Sequence, residues 1–82
     1  SYIMQLKVKF FASLSEQTGL TETTVDADSP ATVLDAWNLA TGDQTLPVNI
    51  LCAINMAYAR LDDSVSDGDE IAFFPPVTGG YA

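Results

Sequence analysis

Alternation of apolar and polar side chains is clearest near the start of the chain. From Gln5 to Phe11, Leu6, Val8 and Phe10 fall on one side and Gln5, Lys7 and Lys9 on the other, the period of a strand with one buried face. Ala12 to Thr18 breaks that period and predicts a short helical turn, with Ser13 as N-cap, Glu16 three residues later, Leu14 as its core anchor and Gly19 as its stop. Thr21 to Val25 is rich in β-branched residues and predicts a second strand, antiparallel to the first. After the turn residues Asp28-Ser29-Pro30 comes the best helical pattern, Ala31 to Ala40. Thr32 and Asp35 have capping-box spacing, and Val33, Trp37 and Ala40 share a face flanked by Leu34. That face is expected to lie on a sheet with Trp37 as a core anchor. Thr41-Gly42-Asp43 ends the helix, and Leu46-Pro47 belongs to a connecting loop.

The second half of the chain changes character. Ile50 to Asn55 is nearly all apolar, which predicts a strand buried on both faces. A turn at Asn55-Met56 brings Tyr58-Ala59-Arg60 back as a short partner strand. Leu61 to Asp69 reads as an acidic loop pinned by Leu61 and Val65, and Glu70 to Phe74 as the last strand. Pro75 and Pro76 remove backbone donors and stop that strand. The element order predicts an α+β domain over residues 1–74, with one main helix laid across a mixed sheet, followed by an extended, flexible tail over residues 75–82. From Pro75 to Gly80 such a tail reaches roughly 20 Å.

Composition narrows what this domain does. At 82 residues, with 48% hydrophobic content, the chain suits one small globular domain. Eleven acidic residues against three basic ones give a net charge of -8, which argues against nucleic acid and anionic membrane as partners and favours a protein with a basic face. No stretch is long and apolar enough to span a bilayer, so a cytoplasmic protein is expected. The single cysteine, Cys52, sits in an apolar run and is expected to be buried and inert.

Side-chain catalysis finds no foothold. Without histidine there is no Ser-His or Cys-His pair and no imidazole ligand or proton shuttle. Asp62, Asp63, Asp67, Asp69 and Glu70 lack the alternating ligand spacing of a calcium loop, so no metal site is expected. Gly79-Gly80 precede no helix and form no phosphate loop. The chain is not expected to be catalytic alone. Its chemistry shifts to the backbone end: a carboxylate on a slim arm is open to adenylation and conversion to an ester or thio acid. Glycines lacking Cβ let an activating enzyme enclose it.

The run Asp67-Gly68-Asp69-Glu70-Ile71-Ala72-Phe73-Phe74-Pro75-Pro76-Val77-Thr78-Gly79-Gly80 closely resembles the end of the small, sulfur-carrier subunit of molybdopterin synthase, the MoaD family of the MoaD/ThiS ubiquitin-like superfamily. The similarity extends to Val8-Lys9-Phe10-Phe11-Ala12 with Leu14, Glu16 and Gly19, to Thr32-Val33 and to Ala53-Ile54-Asn55; residues 43–49 are the least similar. The resemblance implies a β-grasp fold and no permanently bound cofactor. It implies that an activating enzyme uses ATP to adenylate the terminal glycine, which becomes a thiocarboxylate. The large synthase subunit then takes the tail and uses its sulfur to build the dithiolene of molybdopterin from cyclic pyranopterin monophosphate. Carried onto this chain, Gly80 holds the sulfur and Gly79 gives clearance, while Phe73, Phe74, Pro75, Pro76, Val77 and Thr78 meet the partner, with Phe73 or Phe74 also facing the core.

Two features depart from the pattern. Ser15 stands where many members have Arg, and Tyr81-Ala82 follow the diglycine. While those two residues remain, Gly80 has no free carboxylate, so removal by a processing protease is expected. The alternatives are sulfur carriage for thiamine or cysteine synthesis, and a ubiquitin-like binding or modifier domain that carries no sulfur.

Overall fold

The last strand of the chain lies in the middle of the sheet. The computed structural model describes residues 2–76. Its strands are β1 (Ile3–Phe10), β2 (Glu22–Asp28), β3 (Leu51–Ile54), β4 (Ala57–Ala59) and β5 (Glu70–Phe74), and its helices α1 (Ser13–Thr18) and α2 (Val33–Thr41). The spatial order is β2-β1-β5-β3-β4. Only the β1–β5 pair is parallel; β1 with β2, β5 with β3, and β3 with β4 are antiparallel. This mixed sheet with α2 across one face has the architecture of a β-grasp. Its consequence for function is positional: the central strand delivers the chain from the middle of the sheet to Pro75.

Alternation along β1 puts Met4, Leu6, Val8 and Phe10 on the helix-covered face, and β5 adds Ile71 and Phe73. Val33, Ala36 and Trp37 from α2 and Leu14 from α1 close over them. Three aromatic rings form the centre. Trp37 meets Phe73 edge-on at 5.1 Å and Phe10 at 5.7 Å, and Phe10 and Phe73 stack at 5.9 Å. Edge-to-face and offset contacts of this kind add to the apolar area buried. The indole nitrogen of Trp37 donates to the Gln44 carbonyl at 2.9 Å, so the ring is buried without orphaning its polar atom.

Local signals explain most element ends, and several boundaries move. The Thr32–Asp35 capping box is present in both directions, with Thr32 N donating to Asp35 Oδ2 and Asp35 N to Thr32 Oγ1. The helix therefore starts at Val33, and its buried stripe is Val33, Ala36, Trp37 and Thr41. Ala40 is only half-buried and Leu34 is exposed, because the stripe turns away from both. Gly19 and Gly42 end the helices in the left-handed conformation that glycine adopts without a Cβ penalty. Ser13, however, is no N-cap. It is the first helical residue, and Ala12 precedes it at φ 55° without a side-chain cap.

The second strand runs on to Asp28, beyond the expected Val25, because it pairs with β1 along the whole length from Lys9↔Glu22 to Ile3↔Asp28. In β3 the expectation of burial on both faces holds only for its middle. Cys52 and Ala53 are buried while Leu51 and Ile54, at the two ends of the strand, are half-buried: Cys52 and Ile54 face the core, and Ala53 is buried on the opposite face between Ala72 and Tyr58.

Candidate docking face and tail exit

The sheet face left bare by the helices includes Phe74, the last residue of β5. Strand alternation sends Lys7 and Lys9 of β1 and Glu70, Ala72 and Phe74 of β5 to the side opposite the core. Register then sets Ala72 against Ala53, and Ala53 against Tyr58. The small side chains at the middle of this row leave a shallow depression of about 450 Å³, lined by Lys9, Phe11, Ala53, Met56, Tyr58, Glu70, Ala72 and Phe74. Its rim is aromatic: Phe74 lies 6.4 Å from Phe11 and 5.9 Å from Tyr58, ring centre to ring centre. Met56 is 92% exposed, Tyr58 77% and Phe11 47%, and apolar side chains clustered this openly mark a surface meant to be covered.

Backbone geometry holds the rim in place. Asn55 and Met56 have φ of 50° and 72°, the paired left-handed values of a tight hairpin turn between β3 and β4. Asn55 is tied down by its own amide, which donates to the Glu70 carbonyl at 2.8 Å, by Nδ2 donating to Asp69 Oδ1 at 2.9 Å, and by Oδ1 accepting from the Glu70 amide at 2.9 Å. The exposed Met56 thus stands on a fixed turn. At the other end, Phe11 N donates to the Phe73 carbonyl at 3.0 Å, and Ser15 Oγ donates to the Ala12 carbonyl at 2.9 Å.

The acidic loop serves the same scaffold. Asp63 Oδ2 accepts from the Arg60 amide at 2.8 Å, Asp69 Oδ2 from Ser66 at 2.7 Å, and Asp67 Oδ1 from Gln5 at 2.8 Å. These carboxylates fold the loop and anchor it to β1. Among the described residues no three His, Cys, Asp or Glu side chains converge as metal ligands, and no helix is long and apolar enough to cross a membrane. Cys52 is buried under the helices with Sγ donating to the Ala59 carbonyl at 3.2 Å. Burial, helped by the charge of Asp63, pushes its thiol above the ordinary value, which keeps it protonated and unreactive.

The residues named from the sequence divide sharply. Phe74 lies on the bare face, Pro75 is half-buried and Pro76 exposed, so the strand stops where proline dictates. Phe73 is 0% exposed and belongs to the core. A partner cannot touch it, which corrects its assignment as a docking residue: successive side chains of a strand point to opposite faces, so the Phe73-Phe74 doublet supplies one ring to each. Val77, Thr78, Gly79 and Gly80, with Tyr81 and Ala82, lie outside the described residues. Phe11, Met56 and Tyr58 were not singled out as site residues. The doublet Phe10-Phe11 carried the available signal, since one member of it must leave the core.

Known proteins share this chain's sequence and shape. The profile of the ThiS family matches residues 8–80. The molybdopterin synthase sulfur carrier subunit of Escherichia coli is 43% identical over 84 residues, covering 92% of this chain and 99% of that protein. Small archaeal modifier protein 1 of Haloferax volcanii is 37% identical, covering 88% of this chain and 97% of the relative. A crystal structure of that modifier superposes with a TM-score of 0.78 at 34% identity, covering 93% of this chain and 99% of the other.

Proposed function

Because this chain belongs to the ThiS family, we propose that it is the sulfur-carrier small subunit of a molybdopterin synthase, activated at Gly80 and docked on its large subunit through the bare sheet face. The observation that carries this reading is the continuity of the face with the tail. Phe74 lies within the aromatic rim and Pro75 follows it directly, so a partner covering the rim sits beside the residue at which the tail begins.

The chemistry belongs to the terminus. Once Tyr81 and Ala82 are removed by a protease, the Gly80 carboxylate attacks the α-phosphorus of ATP in the activating enzyme, forming an acyl adenylate and releasing pyrophosphate. A sulfide-level nucleophile from the sulfur donor then attacks the carbonyl, the acyl C–O bond breaks so that AMP leaves with that oxygen, and a thiocarboxylate remains. Gly79 matters because the activating enzyme must close around the backbone there. Docking on the large subunit carries the sulfur to the pterin precursor.

Incubation of the full-length chain and a form ending at Gly80 with ATP, a sulfur donor and the activating enzyme tests this by intact mass. The expected result is exchange of one oxygen for sulfur in the shortened form alone, followed by dithiolene formation once the large subunit and precursor are added. Persistence of Tyr81-Ala82 in active material would overturn the processing step. Gly79→Val should keep the fold and lose the sulfur product, and normal thiocarboxylate formation by it would overturn the narrow-channel account. The likeness to a small archaeal modifier supports a second reading, attachment of the Gly80 carbonyl to an amine of another protein. Covalent conjugates together with no sulfur transfer to the pterin would favour it.

A further inference from the structure

On the reading that the bare face docks the large subunit, we propose that Lys9 is a specificity-determining residue of that face, covered by the large subunit as a closed ion pair with Glu70. Lys9 and Glu70 are the charged residues lining the depression, and Lys9 Nζ lies 3.4 Å from Glu70 Oε2. Strand register makes this choice of partner informative. Lys9 stands directly opposite Ala72 on β5 and Glu22 on β2, while Glu70 stands opposite Lys7. Lys7 is engaged with Glu22 at 3.7 Å, so Lys9 leans along the sheet to reach Glu70. Side chains of the Lys9–Glu70 pair are 31% and 35% exposed, against 49% and 50% for Lys7–Glu22 and 82% and 80% for Arg60–Asp62. It is the most sheltered ion pair among the described residues.

The pair solves a problem that the composition creates. A chain of net charge -8 attracts basic surfaces in general, yet a carboxylate at the centre of an apolar interface is costly when its partner is missing. With Lys9 in place the depression is neutral and an uncharged apolar surface can cover it. A basic side chain arriving at the same point meets the ammonium of Lys9 and is rejected. Long-range attraction and local rejection together discriminate among basic partners better than either alone. The occupant is therefore a surface with a basic periphery and an uncharged apolar centre.

Calorimetric titration of the full chain with the large subunit tests the proposal, using Lys9→Met, Glu70→Gln, the double variant and Lys9→Arg. Each neutralising single variant should weaken binding by about tenfold, because it leaves the other charge covered and unpaired. The double variant and Lys9→Arg should both bind within about threefold of the parent, the double because no lone charge remains and the arginine because the cation is kept. Both side chains are half-buried on the bare face, outside the helix-covered core, and unchanged unfolding midpoints verify that each variant is folded. Single variants that bind like the parent, or a double variant as weak as the product of the singles, would overturn the role of the pair while leaving the docking face intact. Failure of the parent chain to bind the large subunit would overturn the docking face and this inference together.

Discussion

Two faces of one sheet are built from the same strands and end up with opposite properties. On the covered face, Phe10, Trp37 and Phe73 interlock within 6 Å of one another and all three are buried. On the bare face, Phe11, Phe74, Tyr58 and Met56 surround an unfilled depression. Composition does not distinguish the two, since both are rich in aromatic residues. Geometry does: helices supply large side chains to one face, while Ala53 and Ala72 keep the centre of the other low. Apolar content on one face stabilises the fold; on the other it is available for association.

The Phe73-Phe74 doublet gives the strongest way to break that comparison. Phe73→Ala removes the ring that touches both Phe10 and Trp37 and should cost about 3–5 kcal/mol in urea unfolding. Phe74→Ala, one residue later and half-buried, should cost under half as much. Equal losses at the two positions would mean that the bare face contributes to the fold as much as the core does.

The next effect belongs to the bare face alone. Tyr58 is 77% exposed on an edge strand, so Tyr58→Ala should leave unfolding within about 0.5 kcal/mol of the parent. Truncating a large aromatic that anchors an interface commonly costs about 2 kcal/mol, so its affinity for the large subunit should fall about thirtyfold. A change in stability without a change in affinity would reverse the assignment of the faces.

A smaller effect probes the covering layer. Thr32→Ala removes the side-chain acceptor of the capping box and should lower stability by about 1 kcal/mol. Because α2 lies on the covered face, affinity for the large subunit should stay within twofold of the parent, roughly the resolution of such a titration.

Much of this division is legible in the sequence. Alternation fixed the inward side of β1, the capping box fixed the start of α2, and Glu70 to Phe74 marked the last strand to the residue. What local pattern could not reveal was which strands neighbour one another. The insertion of β5 between β1 and β3 brings Phe11 and Phe74 together across 63 positions of sequence and sets Tyr58 beside them. The depression exists only because of that long-range pairing. Ser13 shows the opposite failure: its spacing to Glu16 satisfied the capping rule, but the chain turns one residue earlier, at Ala12, and leaves Ser13 inside the helix. Phe73 was misassigned for a simpler reason, since a family motif names residues while alternation decides which of them reach a partner.

Cys52 lies where the two faces come closest to meeting, on the covered side of β3 beside the short edge strand β4, and it gives the smallest effect. Its folded-state thiol value is raised, by burial first and by Asp63 second. An acid whose folded value is raised keeps its proton longer in the native state than in the unfolded chain. Below the ordinary thiol value both states are protonated and Cys52 adds no pH dependence. As pH rises through that value the unfolded chain ionises first, so the protein loses stability until the higher folded value is passed. Cys52→Ala should therefore cost stability at neutral pH by shrinking a buried side chain, and its deficit relative to the parent should narrow between about pH 8 and pH 10. Alkylation supplies an independent check: the native thiol should react far more slowly than the same thiol in urea. A constant deficit across that range, with rapid alkylation of the native protein, would mean that water already reaches the covered face at its β3–β4 edge, and the contrast between the two faces would end short of that edge.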